Sequence, residues 1–162
     1  MNIGITGHQD IGGKKLVNWV RKELMQEITR NKEIKTARSS LAIGADQLFA
    51  QVVLKMKIDL VSVIPSAGYE ETFEIKDQSE YFRLKSLSSS IEILNFSSPS
   101  EEAFLYAGKY ITDHSDLIFA VWDGLPAKGL GGTGDIVRYA LSLGKHVIHL
   151  NTVDKNKLVY NG

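Results

Sequence analysis

The stretch Gly129-Leu130-Gly131-Gly132-Thr133-Gly134-Asp135 is the part of this sequence best suited to hold an anion. Glycine reaches positive φ at little cost and lets a ligand approach the backbone amides closely. A helix starting directly after such a run offers free N–H groups and the positive end of its dipole, so Gly131, Gly132, Thr133 and Gly134 form a candidate phosphate cradle, with the Thr133 hydroxyl as an added donor. The plainer reading is that the glycines only make a turn and Thr133 only caps a helix. Two further glycine-bearing segments favour the cradle: Thr6-Gly7-His8 and Gly44-Ala45-Asp46-Gln47 each follow a strand-like run. Loops at the carboxyl ends of parallel strands are where ligands collect in open α/β sheets.

Polar and aromatic residues in these loops carry two readings each. His8 can donate to a phosphate or carry a proton near neutrality, or it is simply an exposed loop histidine. Asp46 can accept from ribose hydroxyls, or it is an acid placed in a helix's first turn by the dipole. Asp123 can hold ribose or a water, or it is half of a turn-forming Asp-Gly pair. Trp122 and Tyr69 can stack on a base, although a tryptophan ending a buried strand is commonly core; Tyr69, in a presumed lid, is the better stacking candidate. Glu70, Glu71 and Glu74 read as a solvated acidic face, and no metal and no cofactor are assigned. Neither a Walker lysine after the glycines nor Gly-x-Gly-x-x-Gly after the first strand is present, which disfavours P-loop NTPases and the usual dinucleotide dehydrogenases.

The elements that must position these loops follow from periodicity. Short apolar runs alternate with helical stretches, predicting parallel strands joined by helical crossovers. Strands are expected at 2–6, 40–43, 60–64, 91–94, 117–122 and 146–150. A helix is expected over 14–30 on Leu16, Val17, Val20, Leu24 and Ile28, and a second helical face runs from Ala45 to Met56. The segment 66–79 reads as a long loop or movable lid, followed by a helix over 80–88. Ser98-Pro99-Ser100-Glu101 reads as an N-cap, a proline at the first helical position and a capping-box glutamate. The last helix is expected over 135–143, closed by Gly144. The expected fold is α/β: a three-layer, Rossmann-like, mostly parallel sheet flanked by helices. It forms one domain over 1–153, with a polar tail over 154–162.

Composition narrows the partners. The 162 residues contain nineteen basic and nineteen acidic side chains and no cysteine. The zero net charge offers no global field toward nucleic acid or an anionic membrane, so nucleic acid is read as an unlikely partner and the membrane as none. Without a membrane-length apolar run or signal-peptide pattern, the expected location is cytoplasmic.

Taken together, Gly4-Ile5-Thr6-Gly7-His8, Ala42-Ile43-Gly44-Ala45-Asp46-Gln47, and Ser115-Asp116 through Trp122-Asp123-Gly124 to Gly131-Gly132-Thr133-Gly134-Asp135 resemble the SLOG superfamily. That superfamily includes the phosphoribohydrolases often misnamed lysine decarboxylases and the DNA-processing protein A family. The resemblance implies a Rossmann-like sheet binding nucleotides or nucleotide-derived signals, commonly as a homodimer, with the glycine-threonine loop at phosphate. The hydrolase branch carries Pro-Gly-Gly-x-Gly-Thr-x-x-Glu; laying its Gly-Thr on Gly132-Thr133 puts Ile136 at the glutamate position, and the proline is missing. Asp135, one residue earlier, points about 100° away on a helix and is shorter. Arg83 matches the branch's arginine poorly. The leading expectation is a module binding a nucleotide or NAD-derived phosphate ligand as a sensor. The alternative is an N-glycoside hydrolase of nucleoside monophosphates using Asp135 or Asp123. Single-strand DNA binding ranks below both, because net charge is zero and few basic and aromatic residues are interleaved.

Overall fold

In Leu117–Trp122 (β5) the interior residues Ile118, Phe119, Ala120 and Val121 are all fully buried. A strand hidden on both faces must be covered by helices on both faces, which is the condition of a parallel α/β sheet. The computed structural model describes residues 1–127 and 129–162 and contains that sheet. Its elements are β1 (Asn2–Gly7), α1 (Lys14–Arg30), β2 (Thr36–Ser39), α2 (Ala45–Lys55), β3 (Asp59–Ile64), a 3₁₀ turn (Tyr69–Thr72), α3 (Ile75–Ser86), β4 (Ser90–Ile93), α4 (Glu101–Asp113), β5, α5 (Thr133–Ser142), β6 (His146–Asn151) and β7 (Asn156–Tyr160).

The strand order is β4-β3-β2-β1-β5-β6-β7, parallel except for the final β6–β7 pair. Right-handed crossovers that step outward from β1 to β4 place α1, α2 and α3 on one face; the return to β5 and the step to β6 place α4 and α5 on the other. Val20, Leu24 and Ile28 of α1 meet Phe49, Val52 and Val53 of α2, with Phe119 of β5 at 5.9 Å from the Phe49 ring. Ala107 and Ile111 of α4 and Val137 and Ala140 of α5 cover Val61, Val63, Ile118 and Ala120. Burying each large apolar side chain contributes about 2 kcal/mol, so both faces are held mainly by this packing. The result is the expected three-layer, Rossmann-like α/β arrangement, and among the described residues no helix is long and apolar enough to cross a membrane.

Several boundaries differ from expectation for physical reasons. The second strand is Thr36–Ser39 rather than 40–43, because Leu41 adopts φ 58°, which no strand permits. The presumed lid over 66–79 is instead a 3₁₀ turn running into α3, locked by stacked aromatic rings. The N-cap of α4 is Ser100, whose hydroxyl accepts the Ala103 amide at 3.1 Å; Ser98 and Pro99 lie before it. Residues 156–160, expected within a polar tail, pair antiparallel to β6, and the Lys157 ammonium reaches Glu23 and Glu27 of α1.

Candidate functional site

The strand order reverses direction between β1 and β5, so the loops beyond their carboxyl ends diverge and leave a crevice. A cleft of about 660 Å³ opens there. Gly7 and His8 beyond β1, Asp46 of α2, Tyr69 of the 3₁₀ turn, Trp122 and Asp123 at the end of β5, and Gly131, Gly132, Thr133 and Gly134 at the start of α5 all line it. Gly44 and Ala45, expected at the ligand, are not among its lining; Gly44 instead lines a second, smaller pocket of about 290 Å³ with Gln9, Asp10 and Gln47. The loop expected from Asp123 to Gly134 is described apart from Lys128, which lies outside the described residues.

The glycines are required by close packing. A Cβ at Gly44, where φ is 87°, would stand 2.1 Å from the Gln9 carbonyl oxygen and 2.5 Å from that of His8. The Ala45 amide donates to that same His8 carbonyl at 3.1 Å, joining α2 to the end of β1. A Cβ at Gly7 would lie 2.4 Å from that of Ala45. At Gly131, φ is 79° and a side chain would meet the Leu105 backbone at 2.9 Å. Gly132 then serves as the N-cap of α5 with no side-chain cap; its carbonyl accepts the Asp135 amide at 2.9 Å, and the Thr133 and Gly134 amides are left without an acceptor within the helix itself.

The charged residues divide by role. His8 Nε2 stands 3.8 Å from Asp123 Oδ1, and the same oxygen accepts the Leu125 amide at 2.9 Å, so Asp123 both makes its turn and faces the imidazole. Asp46 is 7% exposed; its Oδ2 accepts the Ser40 amide at 3.0 Å and the Ser39 hydroxyl at 3.3 Å. Burial pushes its carboxyl up to about 7 against the lowering effect of those donors. Burial, and then the Asp46 charge, raise the Tyr69 phenol.

Two expected roles change. Asp135 does not line the cleft: its carboxylate accepts the Gly131 amide at 3.1 Å and pairs with Arg138, holding the loop rather than facing a substrate. Ile136, at the position of the hydrolase glutamate, lines the cleft with an apolar side chain. Tyr69 is 5% exposed, edge-on to Phe73 at 5.2 Å and Tyr81 at 5.7 Å, so it is a wall residue and not part of a mobile lid. Trp122 donates from Nε1 to the Leu125 carbonyl at 2.7 Å and lies 4.6 Å from His149. Arg83 is occupied by Glu80 on the outside of α3. Ser40, Glu101 and Phe104 also line the cleft, which the sequence reading missed because α4's approach to the site depends on strand order. Among the described residues no group of three or more His, Asp or Glu is arranged to hold a metal.

No protein-family profile matches the sequence, and no curated protein matches it significantly. Solved structures do. DNA processing protein A from Streptococcus pneumoniae is 14% identical with a TM-score of 0.64, over 91% of this chain and 49% of that one. DNA processing protein A from Helicobacter pylori, in a structure described by its unique single-stranded DNA binding mode, is 16% identical with a TM-score of 0.62, over 92% of this chain and 64% of that one. The chain therefore spans about half the length of the first and under two thirds of the second. These likenesses show a shared fold. They also correct the functional expectation: these two structures are of DNA processing protein A, one described by its single-stranded DNA binding mode, which overturns both the reading of nucleic acid as an unlikely partner and the preference for a small nucleotide-derived ligand or N-glycoside hydrolysis.

Proposed function

We propose that this chain binds single-stranded DNA across the carboxyl end of its sheet. The observation that carries the reading is the fold likeness to the Helicobacter DNA processing protein A, described by its single-stranded DNA binding mode, over 92% of this chain. Zero net charge does not oppose it, because local donors rather than global charge hold a strand at short range. The α5 start at Gly132, Thr133 and Gly134 gives amides and a dipole end to one backbone phosphate. Trp122 and Phe104 supply aromatic surface in the adjoining cleft, and stacking on such surface is how single strands are held without a sequence code. Lys14 and Lys15, in the first turn of α1, add cations at the same end of the sheet. His8, with Asp123 3.8 Å away, lines the same cleft. Membership of the SLOG superfamily belongs to the same proposal and rests on the glycine segments after β1, β2 and β5.

Fluorescence anisotropy with a labelled single strand tests this. The expected result is binding that weakens as salt rises, since each phosphate contact releases counterions. A duplex of the same sequence binds more weakly. Thr133→Asp, similar in volume and compatible with a helix start, places a negative charge at the phosphate position and lowers affinity about tenfold. Absence of single-strand binding at low salt by the folded protein would sink the proposal.

A further inference from the structure

The interior of the cleft is mostly apolar, with Ile43, Pro65, Phe104 and Ile136 among its lining, which suits the face of a nucleobase better than a phosphate. A base entering it turns its polar edge toward the few polar groups inside. Asp46 is one of these, held by Ser39 and Ser40 at the start of α2. An ionised carboxylate only accepts, at up to about four lone-pair sites, so the donors from Ser39, Ser40 and the Ala42 backbone leave it room for about one more. In a desolvated wall, an amino group arriving there gains a charge-assisted bond, whereas a carbonyl oxygen arriving there leaves two acceptors opposed.

We infer that Asp46 makes this cleft selective for a single-strand base bearing an exocyclic amino group, cytosine being accepted over uracil. The inference rests on the single-stranded DNA reading and adds a base preference that the fold likeness does not supply. Cytosine and uracil share one ring shape and differ at the 3- and 4-positions: cytosine sets an acceptor N3 beside an amino donor, uracil an N3–H donor beside a carbonyl acceptor, so Asp46 separates them by meeting the 4-position rather than N3. Sites built around a buried hydrogen-bonding group reject an isostere that cannot pair with it. The titratable groups facing the same space are His8 beyond β1, Tyr69 of the 3₁₀ turn, Glu101 of α4 and Asp123 beyond β5. Of these groups Asp46 is the carboxyl that burial moves up to about 7. Once protonated it can donate to a carbonyl, so discrimination falls as pH drops through that value.

The experiment compares deoxycytidine and deoxyuridine homopolymers of equal length by anisotropy, for the unaltered chain and for Asp46→Asn, at a pH above 7 and a pH below it. The expected result is about tenfold tighter binding of the deoxycytidine strand above pH 7, a ratio that shrinks below pH 7 and in Asp46→Asn. The asparagine keeps an oxygen for the Ser40 amide; should it still fail to fold, the pH series on the unaltered chain tests the same point. Equal affinities above pH 7, or a ratio that neither pH nor the substitution moves, overturn the inference while leaving single-strand binding intact. If neither strand binds, the underlying reading falls and the base preference with it.

Discussion

Helices α4 and α5 begin on the same cleft in different ways. At α4 the Ser100 hydroxyl accepts the Ala103 amide, Glu101 and Glu102 complement the dipole, and the helix start is satisfied by its own sequence. At α5 the cap is Gly132, which has no side chain to offer, and the nearest carboxylate, Asp135, turns back to the Gly131 amide and Arg138. One start has a first-turn amide capped by its own side chain; the other, with only Asp135 acidic in its first turn, leaves the Thr133 and Gly134 amides for something outside the helix. The same pattern recurs at α1 and α2, whose caps are Gly13 and Gly44 with no side-chain bond. In this sheet, glycine caps follow β1, β2 and β5, whose loops surround the switch point, and a serine cap follows edge strand β4.

Breaking this contrast gives effects of graded size. Gly131→Ala forces a side chain onto the Leu105 backbone at positive φ, and should cost on the order of 4 kcal/mol in chemical denaturation while abolishing single-strand binding. Asp46 gives a pH signature. Its folded value of about 7 lies above its ordinary 3.8, so its stabilising contribution is complete below pH 3.8 and is lost as pH rises through about 7. The stability difference between the unaltered chain and Asp46→Asn should therefore shift by on the order of 4 kcal/mol across that window, in favour of the variant at high pH. Denaturation midpoints at several pH values measure it, and a constant difference would contradict the buried carboxyl. Smallest is Ser100→Ala, expected to cost about 1 kcal/mol with DNA affinity unchanged. A loss of affinity there would erase the distinction between the two helix starts.

The sequence made the layers legible because burial on both faces leaves continuous apolar runs such as Leu117–Trp122, and helices leave stripes such as Val20, Leu24 and Ile28. It misled at β2, where Thr36-Ala37-Arg38-Ser39 carries one core side chain and an arginine whose guanidinium donates to the His114 carbonyl at the end of α4. That partner lies far along the chain and leaves no local pattern. The glycine loops were legible as a group, since their spacing after strands is a local feature. Their reasons were not: Gly131 answers to Leu105 of α4, and Gly7 to Ala45 of α2, contacts set by strand order. Tyr69 looked like a lid residue because the stacking of Phe73 on Tyr81 that fixes its neighbourhood has no helical or strand period.

The seating of Gly44 beneath the His8 and Gln9 carbonyls has a consequence for anyone transplanting this site. The ends of β1 and the start of α2 are one casting: the Ala45 amide is bonded to the His8 carbonyl, and no side chain can be interposed between them. A graft that carries the His8 loop to another scaffold without the Gly44 turn would deliver the imidazole but lose the support that aims it.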